Sequence, residues 1–177
     1  MSETLLIRAG EESHVAAITA IYAHHVRTGT GSFETEPPGE EEMQRRRNEL
    51  VGKDYPYLVA EAAGEVLGYA YAGPYRTRPA YRHTVENSVY VRPDAMGRGI
   101  GRMLLDRLVE ECVRQGFRQM VAIVGDSDNL ASIRLHERAG FRRVGVLNAV
   151  GFKHGRWLDT VLLQRALGEG DGLAPSG

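Results

Sequence analysis

The spacing of apolar residues along the chain predicts short strands and amphipathic helices in a mixed order. A strand is expected at Leu5–Ile7. A helix follows in which apolar residues recur every three or four positions from Val15 to Val26, with Ser13 as its N-cap. A charged helix is expected over Glu40–Val51. Alternating apolar residues on both sides of a turn at Gly64 then predict a β-hairpin.

The second half of the chain favours an alternation of strands and helices. A strand over Thr84–Val91 runs through a glycine-rich turn into an amphipathic helix, which Gly116 is expected to end with positive φ. The further predicted elements are a strand at Val121–Val124, a helix from Ser127 or Asp128 to Ala139, and strands at Phe141–Val150 and Arg156–Gln164. This order predicts a single α/β domain over residues 1–167, with a disordered tail over 168–177.

Composition and charge narrow the functional class. The 177 residues carry 22 Lys and Arg against 23 Asp and Glu, a formal net charge of −1, which argues against a dedicated nucleic-acid binder. Cys112 is the only cysteine, so no intrachain disulfide can form. No apolar run approaches the ~18 residues that span a membrane, and the first residues lack a secretory signal pattern. We therefore expect a cytoplasmic protein that binds no membrane and no nucleic acid.

The glycine-rich turn at 97–101 is a candidate anion site. The N–H groups and the dipole at a helix N-terminus attract anions, and glycines let the backbone approach closely. Neither the Walker spacing nor G-x-G-x-x-G fits these residues. The pattern predicts a pyrophosphate cradle to which Arg98 and Arg102 would add charge. The alternative is a plain strand–helix turn with packing glycines.

The x-x-G-x-G spacing after a V-x-V strand resembles the acetyl-CoA loop of the GNAT N-acetyltransferase superfamily. A later helix, with Asn129 near its start and Gly140–Phe141 at its end, also fits that superfamily. One departure is Met96, which stands where relatives usually carry Gln or Arg. The resemblance implies the GNAT acyltransferase fold, an α/β fold whose mixed, mostly antiparallel central sheet has splayed middle strands and about four flanking helices.

The same resemblance implies acetyl-CoA as the acetyl donor. The residues expected to bind it are Val89, Tyr90, Val91, Gly97, Arg98, Gly99, Ile100, Gly101, Arg102, Asn129 and Ser132.

A closer resemblance lies in four longer segments, which are similar to phosphinothricin and methionine sulfoximine N-acetyltransferases. These segments are 31–37, 71–81, 84–91 and 151–159, and the similarity runs from Ile7 to about Gln164. It implies direct transfer of an acetyl group to the free α-amine of an amino-acid-like small molecule. It also implies a homodimer in which the active site borrows from or abuts the partner.

Glu86 and His136 are the candidate catalytic residues. A protonated amine must lose a proton before it attacks a thioester, and Glu86 is the candidate base, acting directly or through a water. His136 occupies a position that many relatives fill with Tyr, so it would act as the acid for the leaving thiolate or hydrogen-bond to the sulfur. Alternatively, Glu86 is a surface strand residue paired with Arg82 or His83, and His136 is an exposed helical histidine. Backbone N–H groups of the Val89–Val91 strand would hold the oxyanion.

Arg76 and Arg78 are the candidate ligands for a carboxylate, phosphinate or sulfoximine group, since guanidinium groups suit such oxyanions. Phe33 and Tyr81 would wall the side-chain pocket. The full set of expected substrate-binding residues is Phe33, Arg76, Thr77, Arg78, Tyr81, Glu86, Asn87 and Ser88. The histidines show no metal-ligand spacing, so no metal is expected.

Two other functions stay open. One is acetylation of a protein N-terminus or of another small amine such as a polyamine, although paired arginines disfavour a polyamine. The other is a CoA-binding module without turnover, which retention of both Glu86 and His136 disfavours.

Overall fold

The computed structural model describes residues 4–175, and within that range it forms one seven-stranded sheet with four α-helices. The strands are β1 (Leu6–Ala9), β2 (Tyr57–Ala62), β3 (Glu65–Pro74), β4 (Thr84–Val91), β5 (Gln119–Gly125), β6 (Arg142–Lys153) and β7 (Arg156–Ala166). The helices are α1 (Val15–Thr28), α2 (Glu40–Val51), α3 (Ile100–Arg114) and α4 (Leu130–Arg138).

The sheet has the order β1-β2-β3-β4-β5-β7-β6, and every neighbouring pair is antiparallel except β4 and β5. Those two parallel strands pair only from Thr84 to Glu86, opposite Gln119 to Val121. Beyond this point, which we call the fork, β4 still pairs with β3 and β5 with β7. The two middle strands therefore splay apart, as the resemblance predicted for a GNAT fold.

A separate apolar core covers each face of the sheet. On one face, α3 buries Leu104, Leu105, Leu108 and Cys112 against the middle strands. On the other face, α1 and α2 pack on an aromatic layer in which the rings of Tyr57 and Tyr69 lie 6.0 Å apart. Burial of apolar side chains from both faces fixes the positions of β4 and β5, and with them the fork.

Helix starts depart from the sequence predictions. A 3₁₀ turn over Glu12–His14 precedes α1, so Ser13 lies inside that turn and the N-cap is His14. The N-cap of α4 is Asn129, whose side chain accepts from the Ser132 N–H, so neither Ser127 nor Asp128 has that role. Ser127 instead donates to Asp159. The predicted end of α3 is confirmed, because Gly116 has φ +84°.

The structure describes the chain up to a few residues from each end, including most of the predicted C-terminal tail. Residues 1–3 and 176–177, which belong to the predicted domain and the predicted tail, lie outside the described residues. Within 168–175 the chain forms turns, and the Arg118 guanidinium donates to the carbonyls of Gly170 and Ala174 at 3.4 and 3.3 Å. The division into domain and tail stays a prediction. Over residues 4–175, none of the helices is both long and apolar enough for a membrane span.

Candidate active site

A cleft of about 850 Å³ opens where β4 and β5 separate. One wall is β4 from Glu86 to Val91, continued by the glycine turn at 97–101. The facing wall is formed by β5 and by the inner face of α4. The cleft follows directly from the short pairing of β4 with β5, because two splayed strands leave a wedge that neither fills.

The glycine turn is built to expose backbone N–H groups. Gly97 and Gly99 have φ of +75° and +80°, a conformation that L side chains rarely adopt. Gly99 is the N-cap of α3, and its carbonyl accepts from Met103 at 3.1 Å. Among residues 4–175, no backbone carbonyl accepts from the N–H groups of 97–102. These donors at the positive end of α3 fit a diphosphate.

The two arginines of this turn differ from expectation in their surroundings. Arg102 lines the cleft, but its guanidinium already donates to Asp106 at 2.7 Å and to the Arg138 carbonyl at 2.6 Å. Arg98 is exposed and lies outside the cleft lining. The turn itself therefore offers its free backbone N–H groups, and Met96, which also lines the cleft, adds no charge there.

Glu86 lies in the cleft at the fork, on the face of β4 that also carries Ser88 and Tyr90. Its side chain is partly buried, and burial raises the pKa of its carboxyl above the ordinary value. The positive charge of Arg76 acts in the opposite direction and lowers that pKa. A carboxylate with a raised pKa is a stronger base than a solvated one, which suits proton abstraction from an amine.

His136 approaches the fork from α4, on the opposite face of β4 from Glu86. It is only 5% exposed, so the interpretation as an exposed helical histidine is wrong. Its Nδ1 lies 2.8 Å from the Ser132 carbonyl, and its Nε2 lies 2.9 Å from Oδ1 of Asn87. Burial lowers the pKa of the ring, which favours neutral imidazole.

The sequence matches the model of the Acetyltransferase (GNAT) family over residues 11–141. The chain belongs to the GNAT acetyltransferase family. A phosphinothricin N-acetyltransferase of Alcaligenes faecalis is 54% identical over 169 residues, which cover 96% of this chain and 86% of that protein. An L-methionine sulfoximine/L-methionine sulfone acetyltransferase of Salmonella typhimurium strain LT2 is 41% identical over 167 residues, covering 93% and 96%.

A solved structure agrees with this assignment. The crystal structure of a GNAT superfamily phosphinothricin acetyltransferase from Sinorhizobium meliloti, in complex with AcCoA, superposes with a TM-score of 0.94. The two chains are 45% identical, and the match covers 98% of this chain and 94% of that one. The predicted family and the predicted GNAT fold are both confirmed.

Most residues expected to bind the cofactor in this GNAT chain lie in the cleft. Those that line it are Val89, Tyr90, Val91, Gly97, Gly99, Ile100, Gly101, Arg102, Asn129 and Ser132. Asn129 also has a structural role, because its Oδ1 caps α4 and its amide nitrogen donates to the Gly125 carbonyl at 3.4 Å. His25, which the sequence analysis did not select, also lines the cleft and donates from Nε2 to the Val91 carbonyl at 2.7 Å.

Of the eight expected substrate-binding residues, three line the cleft and five, among them Phe33, lie outside its lining. Glu86, Asn87 and Ser88 line the cleft. Arg76, Thr77, Arg78 and Tyr81 lie on the exposed loop between β3 and β4 and outside the cleft lining. The Arg76 guanidinium stacks over the Tyr75 ring at 5.2 Å, and Arg76 alone among the four has an electrostatic effect on Glu86.

Phe33 packs on two glycines of the central sheet. A Cβ on Gly125 would lie 2.6 Å from the ring, and one on Gly151 would lie 2.3 Å from it. Lys153, buried near the end of β6, donates to the Ser32 carbonyl at 2.7 Å and holds the same loop. The sequence analysis missed Lys153 because 121 residues separate it from Ser32 and no local pattern marks the contact.

Asp126 is a further residue that the sequence analysis did not select. It lines the cleft with φ +78°. Burial acts to raise the pKa of its carboxyl, but the Asp128 backbone N–H at 3.0 Å and the Arg156 guanidinium at 2.5 Å both donate to the carboxylate, and the net effect is a lowered pKa. Aspartate adopts positive φ more readily than most residues with a Cβ, and its carboxylate is held in place by these contacts. Across residues 4–175, no group of three or more His, Cys, Asp or Glu is arranged to hold a metal ion.

Proposed function

We propose that this protein transfers an acetyl group from acetyl-CoA to the free α-amine of phosphinothricin, methionine sulfoximine or a related amino-acid-like molecule. The observation that carries the proposal is that one cleft holds both the free N–H groups of the glycine turn and the partly buried carboxyl of Glu86. The names of the relatives and the acetyl-CoA complex of the Sinorhizobium meliloti protein support the choice of donor and acceptor.

In the proposed reaction, the backbone of 97–102 binds the diphosphate of acetyl-CoA, and the thioester reaches the fork along Val89–Val91. Glu86 takes a proton from the substrate ammonium, directly or through a water. The free amine attacks the thioester carbonyl, a C–N bond forms, and backbone N–H groups of β4 hold the oxyanion. The C–S bond then breaks and sulfur keeps the electron pair. The thiolate gains one proton, and the new amide nitrogen loses its second proton.

The amine substrate is proposed to enter from the side of Phe33 and Arg76. Arg76, and with it Arg78, would bind the carboxylate or the phosphinate of the substrate by forked hydrogen bonds. Thr77 and Tyr81 lie on the same loop as Arg76, and Phe33, which packs on Gly125 and Gly151, would line this entrance. We place the reaction in the cytoplasm, where acetyl-CoA is available.

An acetyl-CoA consumption assay tests this proposal. The panel contains phosphinothricin, methionine sulfoximine, free amino acids, spermidine and a peptide with a free N-terminus. We expect the highest kcat/KM for the two amino-acid analogues, with a stoichiometric acetyl group on the α-amine. Faster turnover of spermidine or of the peptide would contradict the proposed substrate class.

We also propose a homodimer, formed through an exposed apolar surface on the β6–β7 hairpin that we call the β6 patch. It consists of Val144, Val146, Leu147, Val150, Phe152 and Trp157. β6 is the last strand in the sheet order, so within residues 4–175 its outer edge has no partner strand. Trp157 is 66% exposed, and its ring lies 5.2 Å from that of Phe152. An unpaired edge with large apolar side chains is a typical association surface.

Sedimentation distinguishes this dimer from a monomer. We expect the wild type to have twice the chain mass of 19.6 kDa and the Phe152→Asp variant to have the mass of one chain. Leu6→Asp is the matched control, since Leu6 is exposed to a similar degree on β1 at the opposite edge. A wild-type monomer, or equal dissociation in both variants, would overturn this interface.

A further inference from the structure

Asn87 lies at the fork, one residue beyond the last paired position of β4. Its side chain is 6% exposed and points to the face of β4 opposite Glu86. The amide nitrogen lies 3.4 Å from the Val121 carbonyl, and Oδ1 lies 2.9 Å from Nε2 of His136. This one side chain therefore links β4 to β5 and α4 at the place where the backbone pairing stops.

The contacts of His136 fix which ring nitrogen carries a proton. The Ser132 carbonyl, 2.8 Å from Nδ1, can only accept, so Nδ1 bears hydrogen whether the ring is neutral or charged. The Phe141 ring packs edge-on against the imidazole at 5.1 Å and offers no polar alternative. Any change in protonation of this ring must therefore occur at Nε2, the atom that faces Asn87.

A carboxamide can satisfy both states of Nε2, because it carries an acceptor and a donor on the same carbon. In the structure, Oδ1 of Asn87 faces the ring and Nδ2 faces the Val121 carbonyl. In this orientation Oδ1 can accept from a protonated Nε2. After half a turn of the amide, Nδ2 donates to the bare Nε2 of neutral imidazole, and the weak 3.4 Å hydrogen bond to the Val121 carbonyl is lost. Neither a carboxylate nor an apolar side chain at this position has that property.

We propose that Asn87 is a positioning residue for His136 rather than a substrate ligand. Its amide holds Nε2 at the fork and turns when Nε2 gains or loses a proton. The proposal rests on the proposed function, in which the thioester sulfur lies at the fork. The bare Nε2 takes up a proton from water in the cleft and passes it to the departing thiolate, so the ring and the amide return to their initial states.

The first test measures the His136 ring in the unliganded protein by ¹⁵N NMR. We expect the wild type at neutral pH to show a protonated Nδ1 and a bare Nε2, which give widely separated shifts. Asn87→Asp keeps the shape of the side chain but can only accept, so we expect both ring nitrogens to be protonated. The signals are assigned from their loss in His136→Gln. Asn48→Asp, on the exposed surface of α2 beside Gln44, is the matched control.

The second test is a double-mutant cycle. Loss of one such hydrogen bond in Asn87→Ala should lower kcat about tenfold with little change in the KM for the amine. In the His136→Ala background the same change should have almost no further effect, because Asn87 then has no ring to position. Thermal unfolding of each variant shows whether it is folded, and Asn87→Asp provides a cavity-free second variant.

Two results would overturn the proposal: His136 signals that are the same in Asn87→Asp and in wild type, or kcat effects of Asn87→Ala and His136→Ala that add. A raised KM for the amine in both backgrounds would instead make Asn87 a substrate ligand. The NMR test uses no substrate. A protein without transfer activity would thus refute the proposed function, and the NMR spectra would still decide the pairing of Asn87 with His136.

Discussion

Two regions of the proposed site are built in different ways: the cofactor wall, which is β4 with the glycine turn, and the amine wall, which is the proposed entry side at Phe33 and Arg76 outside the cleft lining. The cofactor wall is local in sequence, because one stretch from Glu86 to Arg102 supplies the strand, the glycine turn and the free N–H groups. The amine wall is assembled from distant segments, since Phe33 meets Gly151, and Lys153 binds the Ser32 carbonyl across 121 residues. The local cofactor wall suits a cofactor that does not change, because one contiguous segment sets its backbone. The amine wall depends on contacts between distant segments, so its side chains can differ from one substrate to another.

The largest effect is expected at Glu86, which lies between the two walls. Glu86→Gln should lower kcat by roughly 10²-fold, because the amide cannot take the ammonium proton. The affinity for acetyl-CoA, measured by calorimetry, should stay nearly unchanged. Glu110→Gln, a surface carboxylate on α3, is the control and should keep wild-type kcat. A wild-type kcat for Glu86→Gln would remove this residue from the mechanism.

The same substitution should stabilise the fold. The pKa of Glu86 is raised in the folded protein, so its stability contribution is present at low pH and is lost as pH rises through the folded-state pKa. At neutral pH the ionised carboxylate therefore costs stability, and Glu86→Gln should raise Tm there. This gain should vanish at a pH below the ordinary pKa of a glutamate. A lowered Tm at neutral pH would contradict the assigned cause of the pKa shift.

On the cofactor wall, Gly99→Val should weaken acetyl-CoA binding about tenfold, because a side chain at φ +80° costs roughly 1–2 kcal/mol and distorts the turn. Gly64→Val is a matched control. It has a similar φ of +78°, and in the described part of the chain no atom beyond its two neighbours in sequence lies within 4 Å of the added Cβ, but it is in the turn between β2 and β3. Equal losses of acetyl-CoA affinity in both variants would indicate general destabilisation and exclude the cradle.

On the amine wall, Gly151→Ala should raise the KM for the amine several-fold, since the new Cβ would lie 2.3 Å from the Phe33 ring and displace it. Acetyl-CoA affinity should not change. Gly145→Ala, on the same strand with no atom within 4 Å of its Cβ, is the control and should keep the wild-type KM. A raised Kd for acetyl-CoA in Gly151→Ala would show that the two walls are not independent.

The sequence predicted the local wall well and the assembled wall poorly, for a physical reason. Glycine spacing at 97–101 and the amphipathic pattern of α3 are local, so they indicated both the turn and the helix that follows it. The hydrogen bond between His136 and Asn87 joins residues 49 positions apart, and no periodicity in α4 shows that contact. Motif similarity selected the loop that carries Arg76, but not which of its side chains affects Glu86.

The smallest expected effect links the amine wall to the base. Arg76 lowers the pKa of Glu86, so in Arg76→Ala that pKa rises and the acid limb of the kcat/KM profile should move to higher pH. Loss of a substrate contact alone would lower kcat/KM by the same factor at every pH and leave the limb in place. Arg78→Ala, a charge removed from the same exposed loop, should show only that uniform loss. If the acid limb lies at the same pH in both variants and in the wild type, Arg76 does not change the pKa of Glu86. Burial alone would then account for the raised pKa of that carboxyl.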